Sequence, residues 1–229
     1  MAAAGDYLVE ARVGAVLPAG VPSPGLRLVE EADGWLLLGF DPLIGRTPNE
    51  PWAAVELAAA LDALAVTGPL LSPAPPVLVP TVAQRMAGRC QTWRALLTHG
   101  HHGPVERSGL GSFERAHLAR LADLEERWAT AVGGDTLVHF DLRHDNWLLT
   151  GDGQIMVVDW GRACLGAPWV DLVCLLLESD LGPHDPQQLF TGHPLARGVD
   201  EQAVDGFLTA LEHHFAGACL VVGGRGASR

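Results

Sequence analysis

The sequence predicts an α+β fold in which a small αβ piece precedes a mainly helical lobe. Two observations carry this. Strand-like runs appear as hairpins, once near the start of the chain and once past its middle, and the rest is dominated by helical stretches. Strands and helices do not alternate as a doubly wound parallel sheet requires.

Taken in order, residues 5–17 place Leu8, Ala11, Val13, Val16 and Leu17 at helical spacing, and Pro18 and Pro22 close that helix. Leu26 to Glu30 and Trp35 to Phe40 read as strands around Ala32-Asp33-Gly34, where Asp-Gly signals a tight hairpin. Asp41 to Gly45 reads as a connection. Helices are expected at about 52–66, 80–98 and 111–132, with a proline-rich stretch at 69–80. Thr136 to Val138 is a short strand. Trp147 to Thr150 and Gln154 to Val158 flank the turn Gly151-Asp152-Gly153, and helices follow at 167–179 and 200–216. The glycine-rich tail from Gly217 has no assignment, and there is no internal repeat.

The chain has 229 residues and a formal charge of −12. That balance disfavours a nucleic-acid partner, because phosphate binding needs basic patches. It suits solubility and is compatible with a cationic small substrate. No apolar run reaches the length of a membrane span. No basic-then-apolar leader opens the chain, so the cytoplasm is the expected location. Cys90, Cys164, Cys174 and Cys219 are widely spaced, which disfavours zinc and a disulfide framework and suits small apolar fillers. All fifteen basic residues are arginine; the sequence contains no lysine.

The chemistry concentrates in Val138-His139-Phe140-Asp141-Leu142-Arg143-His144-Asp145-Asn146, an H-x-D-x-x-x-x-N pattern, followed by Ile155-Met156-Val157-Val158 and then Asp159-Trp160-Gly161. Phosphoryl transfer needs a nucleophile held in line and metal ions to neutralise phosphate oxygens, with little covalent help from the protein. Asp141, in a loop after a strand, can accept a hydrogen bond from a substrate hydroxyl. Asn146 offers an uncharged oxygen ligand, and the hairpin returns Asp159 beside it; hard oxygen donors of this kind suit Mg²⁺. Arg143 and His144 are placed to contact phosphate or orient backbone.

Residues 137–172 resemble the aminoglycoside phosphotransferase and choline kinase-like family, relatives of the protein kinases. The resemblance rests on the motifs just quoted and on Gly166-Ala167-Pro168-Trp169-Val170-Asp171-Leu172, and it extends more weakly over 8–216. It implies a protein-kinase-like two-lobe fold with a truncated N-lobe, residues 1–41 (helix plus β-hairpin), and a helical C-lobe, residues 42–229. It implies transfer of the ATP γ-phosphate to a hydroxyl of a small molecule. In that reading Asp141 is the catalytic base, Asn146 and Asp159 hold Mg²⁺, and His139 supports the loop. Asp171 bonds the loop backbone; it equally suits a carboxylate at a helix N-terminus. Gly39, Phe40 and Asp41 lie near adenine. Glu10 is the counterpart of the helix glutamate that pairs with a strand lysine, or else an exposed helical carboxylate.

The sequence departs from the family in having neither that lysine nor a glycine-rich phosphate loop near its start. Positioning contributes many kcal/mol to such catalysis, so a large defect is expected. Three explanations compete: a start placed too late or a truncated chain, which is favoured; a degenerate relative acting as a nucleotide-binding or interaction module; or a second chain covering the site. The N-terminal hairpin would expose an edge that invites association. Other features carry less. His99-Gly100-His101-His102-Gly103 reads as a surface loop and His213-His214 as a solvated helix face. Trp35, Trp93 and Trp128 read as core, and Trp52 and Trp169 as core or pocket wall. Asp180 and Asp185 read as loop carboxylates or contacts for an ammonium group. The substrate could be an aminoglycoside, a choline-like amine, a homoserine-like amino acid or a sugar; the fold alone does not choose.

Overall fold

The computed structural model describes residues 2–88, 90–102, 105–177 and 179–211. The expectations for His213-His214, Cys219 and the tail therefore fall outside the described residues. In chain order the helices are α1 (Ala2–Gly14), α2 (Ala54–Leu70), α3 (Val82–Met86), α4 (Thr92–His99), α5 (Ser112–Ala131), α6 (Trp169–Leu177) and α7 (Pro186–Gly192). The strands are β1 (Leu26–Ala32), β2 (Trp35–Phe40), β3 (Gly45–Arg46), β4 (His101–His102), β5 (Val105–Glu106), β6 (Thr136–Val138), β7 (Trp147–Thr150), β8 (Ile155–Val157) and β9 (Cys164–Gly166). A further helical run covers 201–211. The described residues form two compact units, one within 2–81 and 134–198, the other within 82–133 and 199–211.

In the first unit β1 and β2 pair antiparallel, Leu26 opposite Phe40 and Ala32 opposite Trp35. Asp33 and Gly34 turn the chain at φ 52° and 78°. Two consecutive positive φ values are what a two-residue hairpin of the right twist demands, and Asp-Gly accepts them readily. β3, β7 and β8 form a second antiparallel sheet in that order, and β6 pairs with β9. Helix α2 packs on α6, β6 and β8. Trp52, Leu57, Leu137, Leu142, Trp147, Leu172 and Leu175 are buried in this unit. The indole rings of Trp52 and Trp147 meet edge to face with centroids 6.2 Å apart.

Helix α1 packs on the turn Trp160–Arg162 and on the β1–β2 hairpin. Its buried positions are Val9 and Val13, one helical turn apart, whereas Leu8 is exposed. The stretch that follows is tied to the same region: the Val157 N–H donates to Pro22 O at 2.7 Å, and Trp160 Nε1 donates to Ser23 Oγ at 3.1 Å. The outer surface of the hairpin is open. Trp35, expected in the core, is 74% exposed, with Leu28, Val29 and Leu37 also exposed. Its two-residue alternation is real, but no second layer covers that end of the two-stranded sheet. Trp52, Trp93, Trp128 and Trp169 are all buried.

The second unit centres on Trp93, Leu96, Leu118 and Ala122. The helix expected over 80–98 is two helices, α3 and α4, separated by a break in which Gly88 has φ 78°. The N-terminus of α4 is held by Glu125, whose carboxylate accepts the backbone N–H groups of Thr92 and Arg94 at 2.8 and 2.9 Å. Trp93 Nε1 donates to Thr209 O at 3.3 Å, fastening the 201–211 run to α4. Among the described residues no helix is long and apolar enough to cross a membrane.

Candidate active site

Strand β6 delivers the chain into the loop that carries Asp141. The loop is held from below by Asp171 in the first turn of α6. Its Oδ2 accepts the His139 N–H and its Oδ1 accepts the Phe140 N–H, each at 2.8 Å. Phe140 sits at φ 65°, a left-handed conformation that a phenylalanine adopts only under constraint. Two charge-assisted bonds on one carboxylate supply that constraint. Burial pushes the Asp171 carboxyl up to about 6, against the pull of the two N–H donors.

His139 is the second brace. Its Nε2 lies 2.9 Å from Val158 O, and its Nδ1 lies 3.3 Å from the Asp141 N. A carbonyl can only accept and a backbone N–H can only donate, so Nε2 carries the proton and Nδ1 does not. The ring is therefore neutral. Burial, opposed by the Val158 contact and by Asp159, lowers its pKa to about 4. The imidazole packs edge-on against Trp160, with ring centroids 4.8 Å apart. One side chain thus joins the Asp141 loop to the strand that ends at Asp159.

Asn146 is buried and donates from Nδ2 to Asp141 O at 2.7 Å, so its Oδ1 is the side-chain atom that can serve as an oxygen ligand. Its own carbonyl accepts the Val158 N–H at 3.0 Å. Asp159 follows β8 at φ 63°, ψ 63°. A Cβ added at Gly161 would stand 3.2 Å from Asp159 Oδ1 and 3.2 Å from Asp6 O and Cβ, so the missing side chain lets α1 lie against this turn.

Asp141 and Asp159 open into one cavity of about 300 Å³, lined also by Asp6, Tyr7, Glu10 and Arg162. The Asp141 carboxyl is pushed up by burial; the Arg162 and Arg143 charges oppose that, and Asp159 and Asp145 reinforce it. Glu10 is pushed up to about 7, first by burial and then by the Asp159 charge. Glu10, placed by resemblance, therefore does face the site. Asp6, Tyr7 and Arg162 were not anticipated. Asp6 and Tyr7 precede Glu10 by four and three residues, the spacing of one helix face, and Arg162 directly follows Asp159-Trp160-Gly161.

The remaining residues that the sequence singles out do not line this cavity. Arg143 Nε lies 3.6 Å from Asp141 Oδ1 and its Nη2 lies 3.2 Å from Asp145 Oδ2, so it flanks the Asp141 carboxylate without lining the cavity. His144 Nε2 donates to Pro48 O at 2.7 Å and so fixes backbone. Gly39 and Phe40 end β2, and the Asp41 N–H is committed to Gly25 O at 2.9 Å. The Asp41 carboxylate pairs with Arg27 at 2.7 Å on the surface, and none of the three lines the cavity. Asp180 accepts the Gly182 N–H and Asp185 caps α7 through the Gln187 N–H. His101 Nδ1 lies 3.1 Å from His99 O in an exposed turn. Cys90, Cys164 and Cys174 are buried.

Among the described residues no three His, Cys, Asp or Glu side chains converge as a metal cage. The donors present are the Asp159 carboxylate and the Asn146 amide oxygen. They fit Mg²⁺, which is commonly held by one or two protein oxygens and completes its shell with phosphate and water.

The fold is that of the kinase-like phosphotransferases. The chain belongs to the phosphotransferase enzyme family known as APH, whose model matches residues 4–207. Solved structures share the fold. A thermostable variant of aminoglycoside phosphotransferase APH(4)-Ia, in ternary complex with ADP and hygromycin B, is 18% identical with a TM-score of 0.57, covering 96% of this chain and 77% of that one. Aminoglycoside phosphotransferase APH(3'')-Id from Streptomyces rimosus, in complex with ADP and streptomycin, gives 18% and 0.57, covering 93% and 81%. Choline kinase LicA from Streptococcus pneumoniae gives 12% and 0.51, covering 93% and 80%.

Proposed function

We propose that the protein transfers the γ-phosphate of ATP, with Mg²⁺, to a hydroxyl of a small molecule. The observation that carries this is the shared cavity of Asp141 and Asp159, with Asn146 locked to the Asp141 carbonyl at 2.7 Å. Asp141 is the group that accepts the hydroxyl proton; its raised carboxyl brings its basicity closer to that task. Asp159 and the Asn146 oxygen hold the cation, which neutralises phosphate charge when bound. His139 and Asp171 hold the loop that carries Asp141. Residues 1–41 form the N-lobe portion and 42–229 the C-lobe. The activity belongs in the cytoplasm, where ATP and Mg²⁺ are supplied.

The relatives bound to hygromycin B and streptomycin make hydroxylated amines the first substrates to try. The net charge of −12 favours a cationic acceptor. The test is phosphate transfer from labelled ATP across a panel of aminoglycosides, choline-like amines and sugars, with and without chelator. Transfer that needs Mg²⁺ and falls by ~10²–10⁴-fold in Asp141→Ala supports the reading. Transfer unchanged by that substitution refutes the role of Asp141.

A second reading has its own observation. The sequence has no lysine, and Glu10 stands against Asp159 with its carboxyl raised to about 7. A module that binds Mg·ATP without transferring it would look like this. Saturable binding with no transfer to any acceptor selects it.

A further inference from the structure

We propose that Arg162 binds the phosphates of the nucleotide. This rests on the reading of the site as an Mg·ATP site. The cavity lining is acidic at four positions, Asp6, Glu10, Asp141 and Asp159, and cationic at one, Arg162. A tri- or diphosphate entering there meets net repulsion unless a cation is fixed on the wall as well as in the metal site. Arg162 ends the turn Trp160–Arg162, and so follows the metal-ligand aspartate at a fixed offset on a rigid element.

Two further observations place its guanidinium for this use. Its Nε is buried and has no hydrogen-bond partner among the described residues. A buried donor without an acceptor is costly, and an arriving anionic oxygen removes that cost. The Arg162 charge also reaches Asp141, the acid on the opposite side of the proposed reaction. Arginine presents a planar fork of donors that matches phosphate oxygens, and it keeps its charge at every physiological pH. A fixed guanidinium beside Asp159 can therefore hold the phosphate chain against the cation bound there.

The test is calorimetric titration of the full chain with Mg·ATP and, separately, with adenosine. Wild type, Arg162→Gln, Arg162→Ala and Arg162→Lys are compared, each first checked for an unchanged melting curve. The glutamine variant keeps most of the volume and serves if the alanine variant does not fold. The expected result is that removing the charge weakens Mg·ATP by about 10- to 100-fold, the range of a hydrogen bond to a charged group. Adenosine is unaffected, and Arg162→Lys recovers most of the loss. Equal Mg·ATP affinity in wild type and Arg162→Gln overturns the proposal, as does an equal loss for adenosine, which marks a structural role. A wild type that binds no Mg·ATP overturns both this proposal and the nucleotide site on which it rests. Binding that depends on Arg162, with no phosphate transfer to any acceptor, leaves Arg162 as the phosphate contact and removes only the catalytic reading.

Discussion

The Asp171 carboxylate receives the backbone N–H of His139 at 2.8 Å and spends its other oxygen on the next N–H, that of Phe140. The loop that carries Asp141 is thus hung from a helix about thirty residues later in the chain. Asp171→Ala leaves two buried donors without acceptors and frees Phe140 from its left-handed conformation. The expected loss is about 2–5 kcal/mol of stability, read by denaturant or thermal unfolding. Asp171→Asn keeps one acceptor oxygen and should lose less. An alanine variant as stable as wild type would show that the loop holds its shape by other means.

The same pair has opposed pH behaviour. Asp171 is raised in the fold to about 6, so the folded protein holds more protons than the unfolded chain from ordinary carboxylate pH up to about 6, and this group lowers stability as pH rises through that window. His139 is depressed to about 4, so the unfolded chain holds more protons between about 4 and its ordinary value, and this group raises stability with pH there. The two slopes offset each other in wild type. Asp171→Asn should therefore show a steeper rise of melting temperature between pH 4 and 6 than wild type, and His139→Gln a fall. Parallel profiles in the three proteins would contradict both assignments.

What the sequence discloses and what it hides follow from the range of the interactions involved. The hairpin at Asp33-Gly34 is legible because the turn chemistry is local, and α5 because its apolar residues recur at helical spacing over 20 residues. Strand β9 has three residues and β3 two, too short for any period, and each exists only through its pairing with β6 or β7. Helix α7 has seven residues, too few for an apolar period to show. In the site, Asp141, Asn146 and Asp159 are legible because a loop and a hairpin bring them together over a short stretch. Arg162, Asp6 and Tyr7 are not, because they meet only where α1 packs on the Trp160–Arg162 turn, more than 150 residues away in sequence. Trp35 shows the converse limit: alternation tells which face a residue takes, and only tertiary structure tells whether that face is covered.

Glu10 provides a titration that tests for a cation at Asp159. Its carboxyl is raised to about 7, so in the metal-free protein its stability contribution declines as pH rises from ordinary carboxylate values to about 7 and stays low above that. Glu10→Gln should remove this decline and melt higher than wild type above pH 7 in chelator. A cation bound at Asp159 cancels the charge that opposes ionisation of Glu10, so Mg²⁺ should shift the wild-type decline to lower pH. Thermal melting across pH, with chelator and with Mg²⁺, checks both. If the two wild-type profiles coincide, no cation binds beside Glu10.

Gly161 tests how closely α1 must approach the Asp159 turn. Its φ is negative, so alanine is free to adopt the backbone, and only space is at issue. An added Cβ would stand 3.2 Å from Asp159 Oδ1 and from Asp6 O, tight enough that the helix or the carboxylate must move by a few tenths of an ångström. Gly161→Ala should cost about 1–3 kcal/mol as overpacking and should also weaken Mg·ATP binding, because the displaced atoms belong to the cavity wall. Trp35→Ala is the control: at 74% exposure it should change stability by no more than ~0.5 kcal/mol and leave nucleotide binding alone. If Gly161→Ala matches that control in both unfolding and titration, then α1 is not fixed against the turn, and Asp6, Tyr7 and Glu10 lose their place in the site.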